Sequence, residues 1–500
     1  MKLRRLRWSL LLLVAASCRG SSPLSPAPDD SPGLTAPTDK NSDPGVLELD
    51  LVAKVATVEL VPGVKTSAWT YNGTVPGPFI DVAAGTKLVI HFRNDLPQST
   101  TIHWHGLRLP NGMDGTLAVQ SPVMPGGTFD YVFTPRDPGL YWFHPHHRSD
   151  SQTERGLYGV IRVRGSSEPH VDHEHVVVLD DVRMEADGSL PKDLDDYSLL
   201  APDLKVHGRW GPTILANGRT DRVIDVTAGA IHRFRFLNSA NVRYFNLTVP
   251  GHTWRVIGTD GSLFERPYDT NNLLIGPSER YDALLVPNGA VGSDLVLKTD
   301  AFQRAEDDTP QPASTVAKLH VVASMTTRTL PVTLPGVAIP RLPIPDGDPI
   351  PIEFDSGTQG GPEGYVLPPE EHDPVVGKPG DPIFVINKKA GANIPPIEVK
   401  LGATKKFLIH NVSHQIHVFH LHGFFFQVVD TDDAYDPVDN PFGLRREMMD
   451  QAQKDSITVR SGYSVTVVAR FDQEPGRWMY HCHIPEHSER GMMSEIRVVP

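Results

Sequence analysis

The segment RWMYHCHIPEHSERGMM, residues 477–493, constrains this chain most, because it places three histidines and three methionines around a single cysteine. The stretch GRWMYHCHI carries aromatic and apolar side chains without helical spacing, which predicts a β-strand. Successive side chains of a strand point to opposite faces, so His481 and His483 share one face and Cys482 lies on the other. One short strand can therefore supply ligands to two separate metal sites.

The first predicted site is built around the thiol of Cys482. His487 and Met492 follow in the loop and turn after the strand and can close back toward this thiol. In the segment HNVSHQIHVFHLHGFFF, His417 lies an odd number of positions from a later His-x-His pair, so it belongs to the opposite face and goes with Cys482. A thiolate with two imidazoles and a weak axial methionine is the ligand set of a blue-copper electron-transfer site.

Four His-x-His pairs predict the second kind of site. Their eight imidazoles are enough for three copper ions if some coordination positions stay open. One such pair arises easily by chance, whereas four of them together with a His-Cys-His do not. The pairs are His103 with His105, His144 with His146, His420 with His422, and His481 with His483.

Composition and charge narrow the class of protein. The 500 residues are 39% hydrophobic and 21% charged, which is typical of a globular chain with two to four domains. The 46 prolines and 42 glycines favour short strands joined by turns. The net charge of -13 argues against nucleic acid as a partner, because a phosphate backbone requires a basic surface.

The N-terminus predicts export. The stretch MKLRRLRWSLLLLVAAS, residues 1–17, has the basic start, short apolar run and small residues of a signal peptide, and its apolar run is too short to span a bilayer. Cys18 follows directly, which resembles the lipobox of bacterial lipoproteins and implies a lipid anchor in the cell envelope or periplasm. The alternative is a plain signal peptide in which Cys18 is incidental. Residues 18–44 are predicted to be a flexible tether.

The motifs HWHG, HPH, HVFHLHG and HCHIPEHSERGMM are similar in order and spacing to the four copper-binding motifs of the multicopper oxidases, the family of laccases, cuprous oxidases and ascorbate oxidase. The stretch TYNGTVPGPFIDVAAGTKLVIHFRN also resembles the opening of the family's first domain. The resemblance implies an all-β chain of three cupredoxin-like Greek-key β-sandwich domains. We expect them at residues 45–165, 166–325 and 345–500, with copper between the first and the third.

The resemblance also implies ligands for four copper ions. The type 1 copper would take His417, Cys482, His487 and Met492, and the type 2 copper would take His103 and His420. One type 3 copper would take His105, His144 and His483, and the other would take His146, His422 and His481. These assignments agree with the strand alternation derived above. His481 and His483 would then connect Cys482 to the three-copper cluster through a few covalent bonds.

The family's chemistry implies the partners. A reducing substrate need only touch the surface near His487 to give single electrons to the type 1 copper, and the cluster passes four to O2, forming water. Asp114, in NGMDG, stands where bacterial relatives have a carboxylate for proton supply; the alternative is a turn residue before Gly115. Many relatives place a glutamate directly after the second type 1 histidine, whereas this chain has Ser488 there and an acid only at Glu489.

Three functions compete. The first is laccase-like oxidation of phenols and related aromatic donors. The second is oxidation of Cu(I) in envelope copper tolerance, but the methionine-rich insertion of such enzymes has a weak signal here, with ten methionines and none between positions 326 and 447. The third is a non-enzymatic exported binding protein of the same fold, which the retention of the full histidine and cysteine set disfavours. We expect a monomer.

One other histidine-rich stretch, EPHVDHEH, holds His170, His173 and His175 beside acidic residues. Its composition and its position at an interdomain connection predict a solvated loop, and the alternative is a site that binds a stray metal ion.

Overall fold

The computed structural model describes residues 31–166, 168–305, 308–334, 339–367, 378–436, 440, 442–449 and 451–500. The predicted signal peptide and Cys18 lie outside the described residues. Among those that are described, no helix has both the length and the apolar character that a membrane-spanning helix needs.

The first sandwich packs the sheet β2-β1-β4-β6 against the sheet β3-β8-β7-β5. Its core includes the buried rings of Trp104, Tyr131 and Phe143. Its elements are β1 (Val46–Val61), β2 (Val64–Tyr71), β3 (Phe79–Ala83), β4 (Lys87–Asn94), β5 (His103–His105), β6 (Thr128–Phe133), β7 (Gly139–His144), α1 (Ser149–Glu154) and β8 (Gly159–Arg164).

The middle sandwich packs the sheet β10-β9-β12-β17-β14-β15 against the sheet β11-β19-β18-β13-β16. Its core includes Phe234, Phe236 and Trp254. Its elements are β9 (His173–Val182), α2 (Pro202–His207), β10 (Thr213–Ala216), β11 (Val223–Ala228), β12 (His232–Asn238), β13 (Phe245–Thr248), β14 (Trp254–Thr259), β15 (Ser262–Thr270), β16 (Leu273–Ile275), β17 (Arg280–Leu285), β18 (Asp294–Asp300) and β19 (Ser314–Ser324).

The third sandwich packs the sheet β21-β20-β23-β27-β25 against the sheet β22-β29-β28-β24-β26. Its core includes Phe407, Phe426 and Trp478. Its elements are β20 (Ile350–Thr358), β21 (Pro382–Ile386), β22 (Ile397–Lys400), β23 (Thr404–Asn411), β24 (His417–Leu421), β25 (Phe426–Thr431), β26 (Ser456–Val459), β27 (Ser464–Arg470), β28 (Gly476–Cys482), α3 (Pro485–Ser488) and β29 (Met493–Val499).

The three sandwiches share one plan. Each of their sheets contains a single parallel pair of strands that are distant in sequence, and the other pairings are antiparallel. One-turn 3₁₀ helices lie in the connections, at Asn111–Met113, Lys192–Leu194, Tyr197–Leu199, Gly391–Asn393 and Arg446–Met448. The prediction of an all-β chain of three sandwiches is confirmed. The exact domain limits, 45–165, 166–325 and 345–500, stay predictions.

The prediction of a solvated loop in EPHVDHEH is wrong for its second half. Strand β9 begins at His173 and pairs in parallel with β12, so that His175 is buried and its ring stacks on that of His232 with centroids 5.1 Å apart. Glu174 points the other way, where Arg162 and Arg235 lie within 2.8 and 3.0 Å of its carboxylate. The acidic neighbour that suggested solvent exposure is therefore neutralised by buried arginines.

Candidate metal centre

Three side chains converge at the Cys482 site. The Sγ of Cys482 lies 3.5 Å from Nδ1 of His417 and 3.7 Å from Nδ1 of His487, and the two Nδ1 atoms are 3.0 Å apart. All three residues are fully buried. His417 comes from β24, Cys482 ends the adjacent strand β28, and His487 lies in α3. The antiparallel pairing of β24 with β28 and the short turn into α3 bring the three together.

Outer hydrogen bonds determine which imidazole nitrogen faces the thiol. Nε2 of His417 donates to the hydroxyl of Ser413 at 2.8 Å, and Nε2 of His487 donates to the carbonyl of Val206 at 3.0 Å. The Ser413 hydroxyl is free to accept because its own proton goes to the side-chain oxygen of Asn411, 2.8 Å away. With the protons outside, both Nδ1 lone pairs point inward, as metal ligands must.

Burial sets the charge state of this site. It raises the pKa of the Cys482 thiol to about 12 and lowers the pKa of His417 to about 3. The pKa of His487 also lies well below its usual value, chiefly because of burial and secondly because His417 is close. At neutral pH the site thus holds a protonated thiol and two neutral imidazoles, a soft donor set that fits copper.

Met492 is brought next to this site by main-chain hydrogen bonds. Its N–H donates to the carbonyl of His487 and its carbonyl accepts from the N–H of Cys482, both at 3.1 Å, and its side chain is fully buried.

His487 is closed off from solvent. Its ring stacks on Phe384 with centroids 3.9 Å apart, and the Val206 carbonyl at its outer nitrogen belongs to α2 of the middle sandwich. The expectation that a donor can touch the surface near His487 therefore needs a refinement: α2 lies between this histidine and solvent.

The eight histidines of the His-x-His pairs form one buried cluster between the first and third sandwiches. His103 faces His144 across the β5–β7 pair, and His420 faces His481 across the β24–β28 pair. Nε2 of His481 lies 3.0 Å from Nε2 of His422 and 3.4 Å from Nε2 of His146. On the other side of the cluster, Nδ1 of His105 lies 3.1 Å from Nε2 of His483.

Three nitrogens of this cluster are left without a hydrogen bond. The Nε2 atoms of His103, His144 and His420 are buried and have no partner in the described part of the chain. Their Nδ1 atoms each donate to a main-chain carbonyl at 2.8 Å, those of Asp114, Pro145 and Asp455 respectively. Because unsatisfied buried polar atoms are costly, several lone pairs directed into one space indicate a metal site.

Most imidazoles of the cluster are neutral before it binds a cation. Burial, and secondly crowding by neighbouring imidazoles, holds the pKa of most of these histidines well below the usual range. For His481, burial lowers the pKa to about 4. The cluster can therefore accept several positive ions without first losing protons.

Asp114 lies against the cluster and is buried. Its carboxylate accepts from Nδ1 of His422 at 2.9 Å, while its carbonyl accepts from His103. It also ends a 3₁₀ turn before Gly115, where an added Cβ would lie 1.7 Å from the carbonyl oxygen of Ile102. Asp114 is thus both a turn residue and a neighbour of two predicted ligands.

The acid at Glu489 is turned toward the first sandwich. Its carboxylate accepts from the N–H and the hydroxyl of Ser149, at 2.7 and 2.8 Å, at the start of α1. Ser488 instead lines a cavity of about 10 Å³ beside the cluster, together with His144, His146, His481 and His483.

Several residues that contact the predicted ligands were not found from the sequence. Besides Ser413 and Val206, Asp455 lies with its carboxylate 3.1 Å from Nε2 of His105. One signal was present: the glycine of HWHG, Gly106, where an added Cβ would lie 2.6 Å from both Arg280 and Asp455.

Comparison with known proteins decides the family. Three family models, each described as multicopper oxidase, match residues 53–168, 194–320 and 368–500. The chain belongs to the multicopper oxidase family. The oxidase is 29% identical to the multicopper oxidase MmcO of Mycobacterium tuberculosis over 468 residues, 86% of this chain and 83% of that protein. It is 26% identical to Laccase-1 of Botryotinia fuckeliana over 472 residues, 88% of this chain and 80% of the laccase.

A solved structure agrees with this placement. The multicopper oxidase of Campylobacter jejuni, described as a metallo-oxidase, superposes with a TM-score of 0.76 at 26% identity, covering 93% of this chain and 94% of the other. The protein is accordingly an oxidoreductase with O2 as acceptor and with four copper ions as its cofactor. The thiol site and the inward lone pairs of the histidine cluster fit that cofactor. Which residue binds which ion stays a prediction.

Proposed function

We propose that this multicopper oxidase oxidises phenols and related aromatic donors in the manner of a laccase, with Cu(I) as the alternative donor. In this proposal electrons enter at the Cys482 site and are used at the histidine cluster. The observation that carries it is the position of Cys482. Its thiol lies between His417 and His487, while the next residue on each side, His481 and His483, belongs to the histidine cluster. One segment thus connects the site that would receive electrons with the site that would use them.

The proposed ligand sets follow the family assignment. Type 1 copper would be held by His417, Cys482, His487 and Met492, type 2 by His103 and His420, and the type 3 pair by His105, His144 and His483 and by His146, His422 and His481. In two of these sets, His417 with Cys482 and His487, and His146 with His422 and His481, three ligand atoms lie within 4.8 Å of one another. When bound, copper supplies one-electron redox chemistry that carries four electrons from the donor to O2. Ser413 and Val206 keep the two imidazoles of the Cys482 site oriented.

Asp114 is the proposed proton source for the reduction of O2. Its carboxylate is buried and contacts His422 at 2.9 Å, so it lies beside the place where protons are consumed. Ser488 has only a hydroxyl, which can relay a proton but holds no charge near neutral pH. Glu489 accepts two hydrogen bonds from Ser149, which keeps its carboxylate occupied at the edge of the cluster.

The methionines favour an aromatic donor over Cu(I). Met448 is buried, with its sulfur 3.7 Å from the hydroxyl of Tyr268 and 3.9 Å from that of Tyr281, and Met492 is buried beside Cys482. Neither can bind a copper ion at the surface. Met449 and Met493 are half-buried, and Met124 and Met325 are exposed, so Cu(I) remains the alternative donor. The relative named as a laccase supports an aromatic donor, and the relative described as a metallo-oxidase supports Cu(I).

Steady-state O2 uptake by copper-loaded protein distinguishes the donors. We expect faster uptake with a phenol than with cuprous ion at matched concentrations. Uptake with cuprous ion alone would replace the laccase-like function by the cuprous oxidase one.

Export and anchoring are proposed from the N-terminus. The protein is expected to be a monomer that carries lipid on Cys18 and partitions with membranes. The Cys18→Ser variant is expected to be released from the membrane or left unprocessed, while the blue colour expected of the copper at the Cys482 site stays unchanged. Multiple acylation is required, because one lipid chain binds a membrane only marginally. A wild-type protein that is wholly soluble in the envelope, with an unmodified N-terminus, would contradict the proposal.

A further inference from the structure

His105 is oriented differently from its neighbours in the cluster. His103, His144, His420, His422 and His481 all direct Nδ1 outward to an oxygen and Nε2 inward. His105 does the reverse: Nδ1 points inward, 3.1 Å from Nε2 of His483, and Nε2 points outward, 3.1 Å from the carboxylate of Asp455. The Ser456 hydroxyl also lies 3.2 Å from this Nε2 and donates to the same carboxylate, so Asp455 organises both contacts. The inner lone pair of His105 therefore depends on an outer acceptor at Nε2.

The Asp455 carboxylate is held by an arginine from the middle sandwich. Arg280, in β17, donates to both carboxylate oxygens of Asp455, at 2.6 and 2.5 Å. Its Nε donates to the carbonyl of Leu140 at 2.9 Å, in the strand β7 that ends at His144. Arg280 and Asp455 are each 1% exposed at the side chain. A single guanidinium thus joins all three sandwiches directly behind the cluster.

The surroundings leave this ion pair little freedom. Gly106 follows His105 with a φ of +83°, and an added Cβ would lie 2.6 Å from Nη2 of Arg280 and from the carboxylate of Asp455. On the far side, the carboxylate of Asp260 accepts from the N–H of Arg280 at 2.9 Å and lies 3.1 Å from Nζ of Lys454. Lys454 also pairs with the buried Glu279 at 3.2 Å, so three carboxylates and two cations share a closed space.

We propose that Arg280 is a positioning residue for the copper-binding face of His105. It fixes the Asp455 carboxylate, which holds the proton of His105 on Nε2 and leaves Nδ1 free to bind. The middle sandwich supplies none of the proposed ligands, but it thereby controls the orientation of His105. This inference rests on the proposed role of His105 as a ligand.

Loss of the arginine should act through copper affinity. Without Arg280, Asp455 keeps a buried and partly unpaired carboxylate that can turn away, and His105 can rotate its ring so that Nδ1 no longer points inward. Removing a residue that orients a ligand typically costs 10- to 100-fold in metal affinity, and we expect a loss of about that size. The Cys482 site makes no contact with Arg280 or Asp455 in the described structure, so the blue colour expected of the copper at that site should remain.

The experiment is a copper titration of metal-free protein against a chelator of known affinity. It compares wild type with Arg280→Gln, Arg280→Lys, Asp455→Asn and the double variant. Arg162→Gln is the matched control: Arg162 is fully buried and bridges the first and middle sandwiches through Asp81 and Glu174, with contacts of 2.7 and 2.8 Å. The expected result is weaker binding of one cluster copper in Arg280→Gln, partial recovery in Arg280→Lys and no change in Arg162→Gln.

The double variant distinguishes positioning from general destabilisation. If Arg280 acts through Asp455, the double variant is no weaker than the weaker single variant, whereas independent effects add. Unchanged copper affinity in Arg280→Gln, or an equal loss in Arg162→Gln, would overturn the inference. If Arg280→Gln does not fold, Arg280→Lys and Asp455→Asn decide by the same criterion. A wild-type protein lacking cluster copper would instead contradict the proposed function.

Discussion

Replacing Gly106 by alanine tests the packing behind the histidine cluster. The new Cβ would lie 2.6 Å from Arg280 and 2.6 Å from Asp455, and 3.0 Å from the ring of Tyr141. Neither member of the ion pair can swing away, because Arg280 is tied to the Leu140 carbonyl and Asp455 to His105. The methyl group must therefore push the two charges apart or displace the backbone.

The magnitude follows from two contributions. A φ of +83° costs an L-residue about 1–2 kcal/mol relative to glycine. Removing one partner of a buried ion pair typically costs about 3–5 kcal/mol, and this is the upper limit for two charges that the methyl group pushes apart. Gly85→Ala is the matched control, since Gly85 has a φ of +91° and an added Cβ there meets only open space. It should show the backbone cost alone.

The assay is denaturant unfolding of the copper-free proteins, followed by circular dichroism. We expect Gly106→Ala to lower the free energy of unfolding more than Gly85→Ala does, by at most about 3–5 kcal/mol. Equal losses in the two variants would refute the reasoning, because they would mean that the space behind His105 can accept a methyl group.

Three further predictions concern protons. Asp114→Asn should keep its copper and the anaerobic bleaching of its colour but lose turnover with O2 by about 10²-fold or more, and near wild-type turnover would contradict this. Binding of copper at the Cys482 site should release one proton, because the pKa of the thiol is about 12 while that of His417 is about 3. The copper affinity should then rise about tenfold per pH unit near neutrality, and a pH-independent copper affinity would be inconsistent with this. Metal-free protein should lose stability as pH falls below about 6.5, because the folded-state pKa values of His417 and His481 are about 3 and about 4 and the unfolded chain therefore binds protons first. Each histidine contributes about 1.4 kcal/mol of lost stability per pH unit. A denaturation midpoint unchanged from about pH 7 to 5 would disprove this.

Local alternation allowed much of the site to be predicted. The two faces of β28 are a property of the strand itself, so the separation of Cys482 from His481 could be inferred before any tertiary contact was known. The all-β class followed from the short strand patterns and from the resemblance of the motifs. These inferences need only neighbours in sequence.

The remaining features depend on contacts between distant segments. Val206 reaches His487 from another sandwich, and Arg280 reaches Asp455 in the same way. No spacing within the sequence encodes such contacts. His175 was misjudged for a related reason: its acidic neighbour Glu174 suggested solvent, and the arginines that neutralise Glu174 come from other strands.

The most direct test of the two-site account is the copper content and visible spectrum of the Cys482→Ser variant beside wild type. Thiolate-to-copper charge transfer produces the intense colour of such sites. Wild type should be blue with four coppers per chain, and the variant should lose the colour while the histidine cluster keeps its copper. A blue band that persists in Cys482→Ser would contradict the assignment of this thiol as the electron-receiving site.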